Sequence, residues 1–194
     1  CILPELRFPN LRNINSRAFM NCDALTSISL PADLDFIGSY AFESCDALIE
    51  FNIPDKVRTI ESGVVKLCTS LRSVNIQAHV TAISSDLFDG CSSLTDVTLP
   101  QTIQTVGDYA FRGCSSLANI ILPDAITEFG DYSFKDCIKL QQIQWPAKTS
   151  IIRHYAFRGC NSLKSVSLPE TMDVIEGYNV GELELGGVTN GYFE

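Results

Sequence analysis

Between residues 22 and 169 one alternation of apolar and polar residues returns every 23 positions. Ile28, Phe51, Val74, Val97, Ile120, Ile143 and Val166 form one apolar column. Two residues beyond each stands Leu30, Ile53, Ile76, Leu99, Leu122, Trp145 or Leu168. Polar residues fill the positions before and between these columns, with Ile121 as the one exception. A period of two over so short a run predicts a strand buried on one face. Proline closes that strand in six of seven copies (Pro31, Pro54, Pro100, Pro123, Pro146, Pro169), and Gln77 stands in its place in the remaining one. Proline fixes φ and removes a donor, so the chain turns away there. The return segment holds isolated apolar anchors (Ile37, Ile60, Ile83, Val106, Phe129, Ile152, Ile175) among Gly, Ser and Asp. No apolar stripe there is long enough for several helical turns. Turns, short 3₁₀ pieces or very short strands are expected, with little or no regular α-helix.

The same interval governs the rest of the unit. Cysteine recurs at 22, 45, 68, 91, 114, 137 and 160, and leucine follows each by three residues. Ala-Phe precedes the cysteine, as in Ala18-Phe19, Ala41-Phe42, Ala110-Phe111 and Ala156-Phe157. An unbroken period of this length marks one supersecondary unit copied and stacked, whose apolar face is buried only by its neighbours. Stacking predicts a solenoid with a parallel β-sheet on one face and an irregular return on the other. Phe19, Phe42, Phe88, Phe111, Phe134 and Phe157 fall in one column and are expected to pack as an internal aromatic spine. The third unit interrupts that column with Val65 and also lacks the proline, which makes it the expected soft point.

The motif Ala-Phe-x-x-Cys-x-x-Leu-x-x-Ile-x-Leu-Pro, as in residues 110–123, resembles the 23-residue BspA-like class of the leucine-rich repeat superfamily. The resemblance covers about residues 8–176. It implies a leucine-rich-repeat solenoid: one array over 1–176, followed by a degenerate cap or tail over 177–194. For function it implies protein binding, with adhesion at a cell surface or outside the cell in bacteria and protists. The rival reading is a structural or scaffold subunit of a larger assembly, with an intracellular location open to it.

Eight cysteines invite a disulfide or zinc reading, and stacking geometry opposes both. Equivalent residues of adjacent units lie about 4.8 Å apart with nearly parallel Cα–Cβ bonds. That Cβ separation exceeds the disulfide range. Zinc needs four converging ligands, which a straight ladder does not supply, and no Cys-x-x-Cys pair exists. No metal site, disulfide or cofactor is expected, and each thiol is read as a small buried hydrophobe. Free thiols fit a reducing compartment, and none of the ten asparagines begins an Asn-x-Ser/Thr sequon.

Net charge is −9 and spread across the repeats, which argues against nucleic acid, since phosphate backbones demand clustered Lys and Arg. No stretch of eighteen apolar residues is present to span a membrane. The chain starts with Cys1 and a degraded copy read as two residues short of register, so a longer parent protein is expected. A lipidated Cys1 is the alternative. After Ile175 the register fails, and a capping strand over Glu182–Leu185 is expected.

Nothing in the chain reads as catalytic. Neither His79 nor His154 has a triad-like neighbour, and no nucleophile elbow or phosphate-cradling glycine loop occurs. His154 occupies a slot held elsewhere by Ser39, Ser62, Ser85, Asp108 and Asp131, which reads as a solvated substitution. Trp145 reads as core filling. The candidate working face is the exposed side of the sheet, where side chains project in a grid. One of its columns is Ser29, Asn52, Asn75, Thr98, Ile121, Gln144 and Ser167. Its companion is Ser27, Glu50, Ser73, Asp96, Asn119, Gln142 and Ser165. Small polar groups at strand spacing suit an extended peptide, a glycan or a flat protein surface. A second candidate is the basic row Lys66, Arg112, Lys135 and Arg158, broken by Glu43 and Asp89, as an anion or acidic-partner strip.

Overall fold

The computed structural model describes residues 5–8, 10–163, 165–166, 168–177 and 184–185. Each unit makes one coil of a solenoid and contributes a strand to each of two parallel ladders. Odd-numbered strands form the first ladder. They are β1 (Glu5–Arg7), β3 (Ser27–Ser29), β5 (Glu50–Ile53), β7 (Ser73–Ile76), β9 (Asp96–Thr98), β11 (Asn119–Ile120), β13 (Gln142–Ile143), β15 (Ser165–Val166) and β17 (Glu184–Leu185). Even-numbered strands form the second. They are β2 (Asn13–Ile14), β4 (Phe36–Ile37), β6 (Thr59–Ile60), β8 (Ala82–Ile83), β10 (Thr105–Val106), β12 (Glu128–Phe129), β14 (Ile151–Ile152) and β16 (Val174–Ile175). Among the described residues none is in an α- or 3₁₀-helix.

Pairing follows the repeat: Phe51 lies opposite Val74 and Val74 opposite Val97, while Val106 lies opposite Phe129. The step shortens at both ends, where Leu6 faces Ile28 and Ser165 faces Glu184. The Leu6 pairing is one residue short of the repeat, where the sequence had suggested two. Cys1, residues 178–183 and residues 186–194 lie outside the described residues.

A third side joins the ladders through turns. Each unit places two residues in the left-handed region, five residues and one residue before its cysteine, as at Tyr40 (φ 58°) and Ser44 (φ 55°). This geometry points backbone N–H groups at the next coil: Phe42 donates to the Val64 carbonyl at 2.8 Å and Phe111 to that of Ser133 at 2.7 Å. Positive φ strains bulky residues, so Tyr40, Tyr109, Tyr132 and Tyr155 there are notable. Gly63 shows the packing that goes with it. A Cβ on Gly63 would come within 2.4 Å of the Tyr40 ring, which therefore lies over the following unit.

The core is a column structure. Leu25, Leu48, Leu71, Leu94, Leu117 and Leu140 are wholly buried, as are Phe42, Phe88, Phe111 and Phe134. The phenylalanine rings stack as expected: Phe19–Phe42 at 5.0 Å, Phe111–Phe134 at 4.7 Å and Phe134–Phe157 at 5.3 Å between centroids. The seven described cysteines are free and buried. They are more than fillers, because each Sγ–H from Cys45 onward donates to a carbonyl of the preceding unit. Cys68 reaches Phe42, Cys91 reaches Val65 and Cys137 reaches Phe111, each at 3.1 Å. The same carbonyls accept the cysteine N–H of their own turn, as Phe42 O does from Cys45 N. A thiol suits this slot by combining a small apolar body with a weak donor. Burial pushes the Cys91 and Cys114 thiols well above the ordinary thiol range.

Unit three departs from the pattern where the sequence does. In six units an amide three residues on donates to the proline carbonyl, as Leu34 does to Pro31 and Ile126 to Pro123. Where Gln77 replaces proline, no such turn bond occurs among the described residues. Gln77 instead uses the N–H that proline lacks, donating to Ile53 O at 2.9 Å and prolonging the first ladder by one step. The second ladder then breaks, since β6 and β8 do not pair. The hydroxyl of Ser84 donates to Ile60 O across the gap.

Candidate functional site

The alternation that buries Phe51, Ile53, Val74 and Ile76 turns the intervening side chains outward. Asn52, Asn75 and Thr98 lie side by side in register across β5, β7 and β9. Glu50, Ser73 and Asp96 lie side by side one pleat earlier. Ser27, Ser29, Glu50, Asn52, Asp96, Thr98, Asn119, Gln142 and Gln144 are exposed, and Ser73 and Asn75 are half-buried. Ile121 is 82% exposed, the most exposed large apolar residue described. Ser167 and the side chain of Ser165 lie outside the described residues. β9 and β11 do not pair, so the face is continuous over β5–β7–β9 and over β11–β13.

The basic row has a different character from the one its residue types suggest. Asp89, which interrupts it in sequence, is 2% exposed and holds two of its members together. Arg112 donates Nε and an Nη of its guanidinium to the two carboxylate oxygens of Asp89, both at 2.7 Å. Lys66 Nζ lies 3.0 Å from Asp89 and 2.8 Å from Asp86. Burial works against the Lys66 ammonium, but the hydrogen bonds to Asp86 and Asp89 outweigh it and its pKa rises. The bond to Asp89 likewise raises Arg112. These two cations are therefore internal partners of a buried carboxylate, and Lys135 in turn lies 3.6 Å from Asp136.

Beside the row runs a stack that the sequence reading missed. Tyr109–Tyr132 and Tyr132–Tyr155 are stacked at 4.9 Å, tilted by 5° and 10°. Arg112, Lys135 and Arg158 sit 4.8, 5.7 and 5.4 Å from the Tyr109, Tyr132 and Tyr155 ring centres. The signal was present as Tyr-x-x-Arg/Lys repeated at 23-residue spacing. His154 is likewise more than a solvated substitution. Its Nδ1 lies 2.9 Å from Glu176 and 3.6 Å from Asp131, residues of the following and preceding coils. Trp145 is half-buried against Phe129 and Phe157, as core filling requires. His79 is exposed.

Among the described residues the chain is a helix-free coil in which each repeat gives one strand to each of two parallel ladders, a β-solenoid of the kind seen in leucine-rich repeat proteins. The family model for the BspA type leucine rich repeat region, in six copies, matches residues 1–95 and 81–189, and the chain belongs to that family. It is similar to a leucine-rich repeat protein from Bacteroides ovatus, at 29% identity over 88% of this chain and 50% of that one (TM-score 0.70). A second, from Eubacterium ventriosum, shares 31% identity over 75% of this chain and 40% of that one (TM-score 0.70). The leucine-rich repeat protein of T. pallidum shares 27% identity over 70% of this chain and 71% of that one (TM-score 0.59). The chain thus spans half or less of the length of the first two. No protein of curated function matches it. Among the described residues no helix is long and apolar enough to cross a membrane.

Proposed function

We propose that the chain is a non-enzymatic binding module whose exposed first-ladder face docks a protein partner. The observation that carries the reading is the register of Asn52, Asn75 and Thr98, flanked by Glu50 and Asp96. Uncharged donors and acceptors at strand spacing, on a rigid ladder, satisfy a partner's polar surface without desolvating charge. Ile121 supplies an apolar anchor beyond them, with Asn119, Gln142 and Gln144 around it. Membership of a repeat family whose solenoids serve as interaction surfaces supports the reading. The same resemblance supports a cell-surface role in adhesion, and the small polar groups of the face suit a glycan as the other ligand class.

The test replaces Asn75, Thr98 and Gln144 together with Glu and measures binding to immobilised matrix proteins and glycans by surface plasmon resonance. Loss of binding with an unchanged melting curve is expected. Undiminished binding by the folded triple variant would reject the face. Co-purification with one protein at fixed stoichiometry, insensitive to these substitutions, would favour the scaffold reading.

A further inference from the structure

Three consecutive coils bring one imidazole and two carboxylates to a single point beside the second ladder. Asp131 precedes the turn after β12, His154 follows β14, and Glu176 follows β16. One donor atom from each lies within 4.8 Å of the others. A divalent ion in tetrahedral geometry, with bonds of about 2.0–2.1 Å, sets its ligand atoms about 3.3–3.4 Å apart. His154 Nδ1 stands 2.9 Å from Glu176 Oε2 and 3.6 Å from Asp131 Oδ1, on either side of that spacing. Shifts of a few tenths of an ångström bring those two edges to that spacing. The Asp131–Glu176 edge lies within 4.8 Å and has to close by at most about 1.4 Å. Solvent supplies a fourth ligand, because His154 is exposed.

The surroundings hold the donors and set the local charge. Asp131 Oδ1 accepts the His154 backbone N–H at 3.0 Å, which ties that carboxylate to the coil carrying the imidazole. Asp108 accepts the Asp131 N–H at 2.8 Å, adding a third carboxylate behind the site. Arg153 bonds Glu128 and reaches the other oxygen of Glu176 at 3.5 Å, while Glu176 Oε2 faces the imidazole at 2.9 Å. Asp108, Glu128, Asp131 and Glu176 outnumber the single guanidinium, and the field at the imidazole favours a cation. Elsewhere in this column serine or aspartate takes the imidazole's place, so the arrangement belongs to one point of the array.

We propose that Asp131, His154 and Glu176 bind one divalent transition-metal ion of the zinc type, bridging three coils. An imidazole with two carboxylates suits zinc and its neighbours better than calcium or magnesium, which take all-oxygen shells. The buried thiols are sealed in the core and are not competing ligands.

The test is calorimetric titration of the folded chain with zinc chloride, repeated with calcium chloride. One zinc per chain is expected. His154→Ala should weaken binding by about tenfold or more, since even the loss of an outer-shell partner costs that much. Asp131→Asn and Glu176→Gln should weaken it likewise, and His79→Ala should leave it unchanged. Cobalt substitution gives a second readout, a visible absorption band lost in His154→Ala. Absence of saturable binding, binding unaltered by His154→Ala, or equal affinity for calcium would overturn the proposal.

Discussion

Units three and six carry the same 23-residue frame and hold it by different means. In unit six the phenylalanine spine is continuous through Phe134, the Pro146 carbonyl accepts its turn bond from Thr149, and Tyr132 is stacked on both sides. In unit three the spine is interrupted by Val65, the turn is missing at Gln77, and the second ladder is open between β6 and β8. Beside the backbone bonds of the turn side, an ionic tie spans that region: Lys66 of unit three and Arg112 of unit five both close on Asp89 of unit four. Aromatic stacking joins neighbouring coils one at a time, whereas the buried carboxylate ties three. Around unit three the first ladder is paired on both sides of β7, and β5–β7–β9 even gains the Gln77 bond. At unit three the disruption falls on the side away from the proposed docking face, whereas the face itself is unpaired between β9 and β11.

The widest contrast should come from the spine. Phe134→Ala removes a wholly buried ring from the stack and should cost about 3–5 kcal/mol, while Val65→Ala should cost about 2. Equal losses in urea melts would show that the stack is not what distinguishes unit six. Next is the ionic tie. Replacing Lys66 and Arg112 together with Met leaves Asp89 buried and unpaired and should cost about 3–5 kcal/mol, less whatever the carboxyl regains by taking up a proton. A loss under about 1 kcal/mol would remove the tie from the comparison.

A pH series probes what both regions share. The folded thiols of Cys91 and Cys114 titrate above their unfolded value, so their stabilisation is whole below about pH 8.5 and is lost as pH rises. Each should remove about 1.4 kcal/mol per pH unit above that point, and replacing Cys114 with Ala should flatten the slope of stability against pH. The smallest effect belongs to Gln77→Pro. Restoring the consensus residue deletes the bond to Ile53 and should cost about 1 kcal/mol, where a proline suited to the site would stabilise.

The repeat, the strand ending at proline, the phenylalanine spine and the anomaly of unit three were all legible in the columns, because stacking turns a 23-residue spacing into contact. The two-residue strands of the second ladder were too short to leave a period. Left-handed Tyr109 and Tyr132 were hidden because that conformation arises from the approach of the next coil, not from the residue. Lys66, Asp89 and Arg112 were misread for a related reason. Taken as a row of like charges, Asp89 is an interruption; taken as neighbours one strand spacing apart, alternating sign is an ion-pair ladder. His154 between Asp131 and Glu176 follows the same rule. Polar columns on the face were readable as exposed, but their continuity over β5–β7–β9 and break before β11 depend on packing beneath them.

Native-state hydrogen exchange within unit three tests most directly whether the proposed face is rigid where the opposite side is open. The amides of Val74, Ile76 and Gln77 should exchange slowly, near the global limit, and those of Ala82 and Ser84, on the β8 side that faces the gap to β6, orders of magnitude faster. Their counterparts Thr105 and Gly107, whose amides donate to Thr81 and Ile83 of the preceding coil, should be slow. Uniform protection across unit three, or faster exchange in β7 than in β8, would contradict the division within that unit between a face strand paired on both sides and a back strand paired on one.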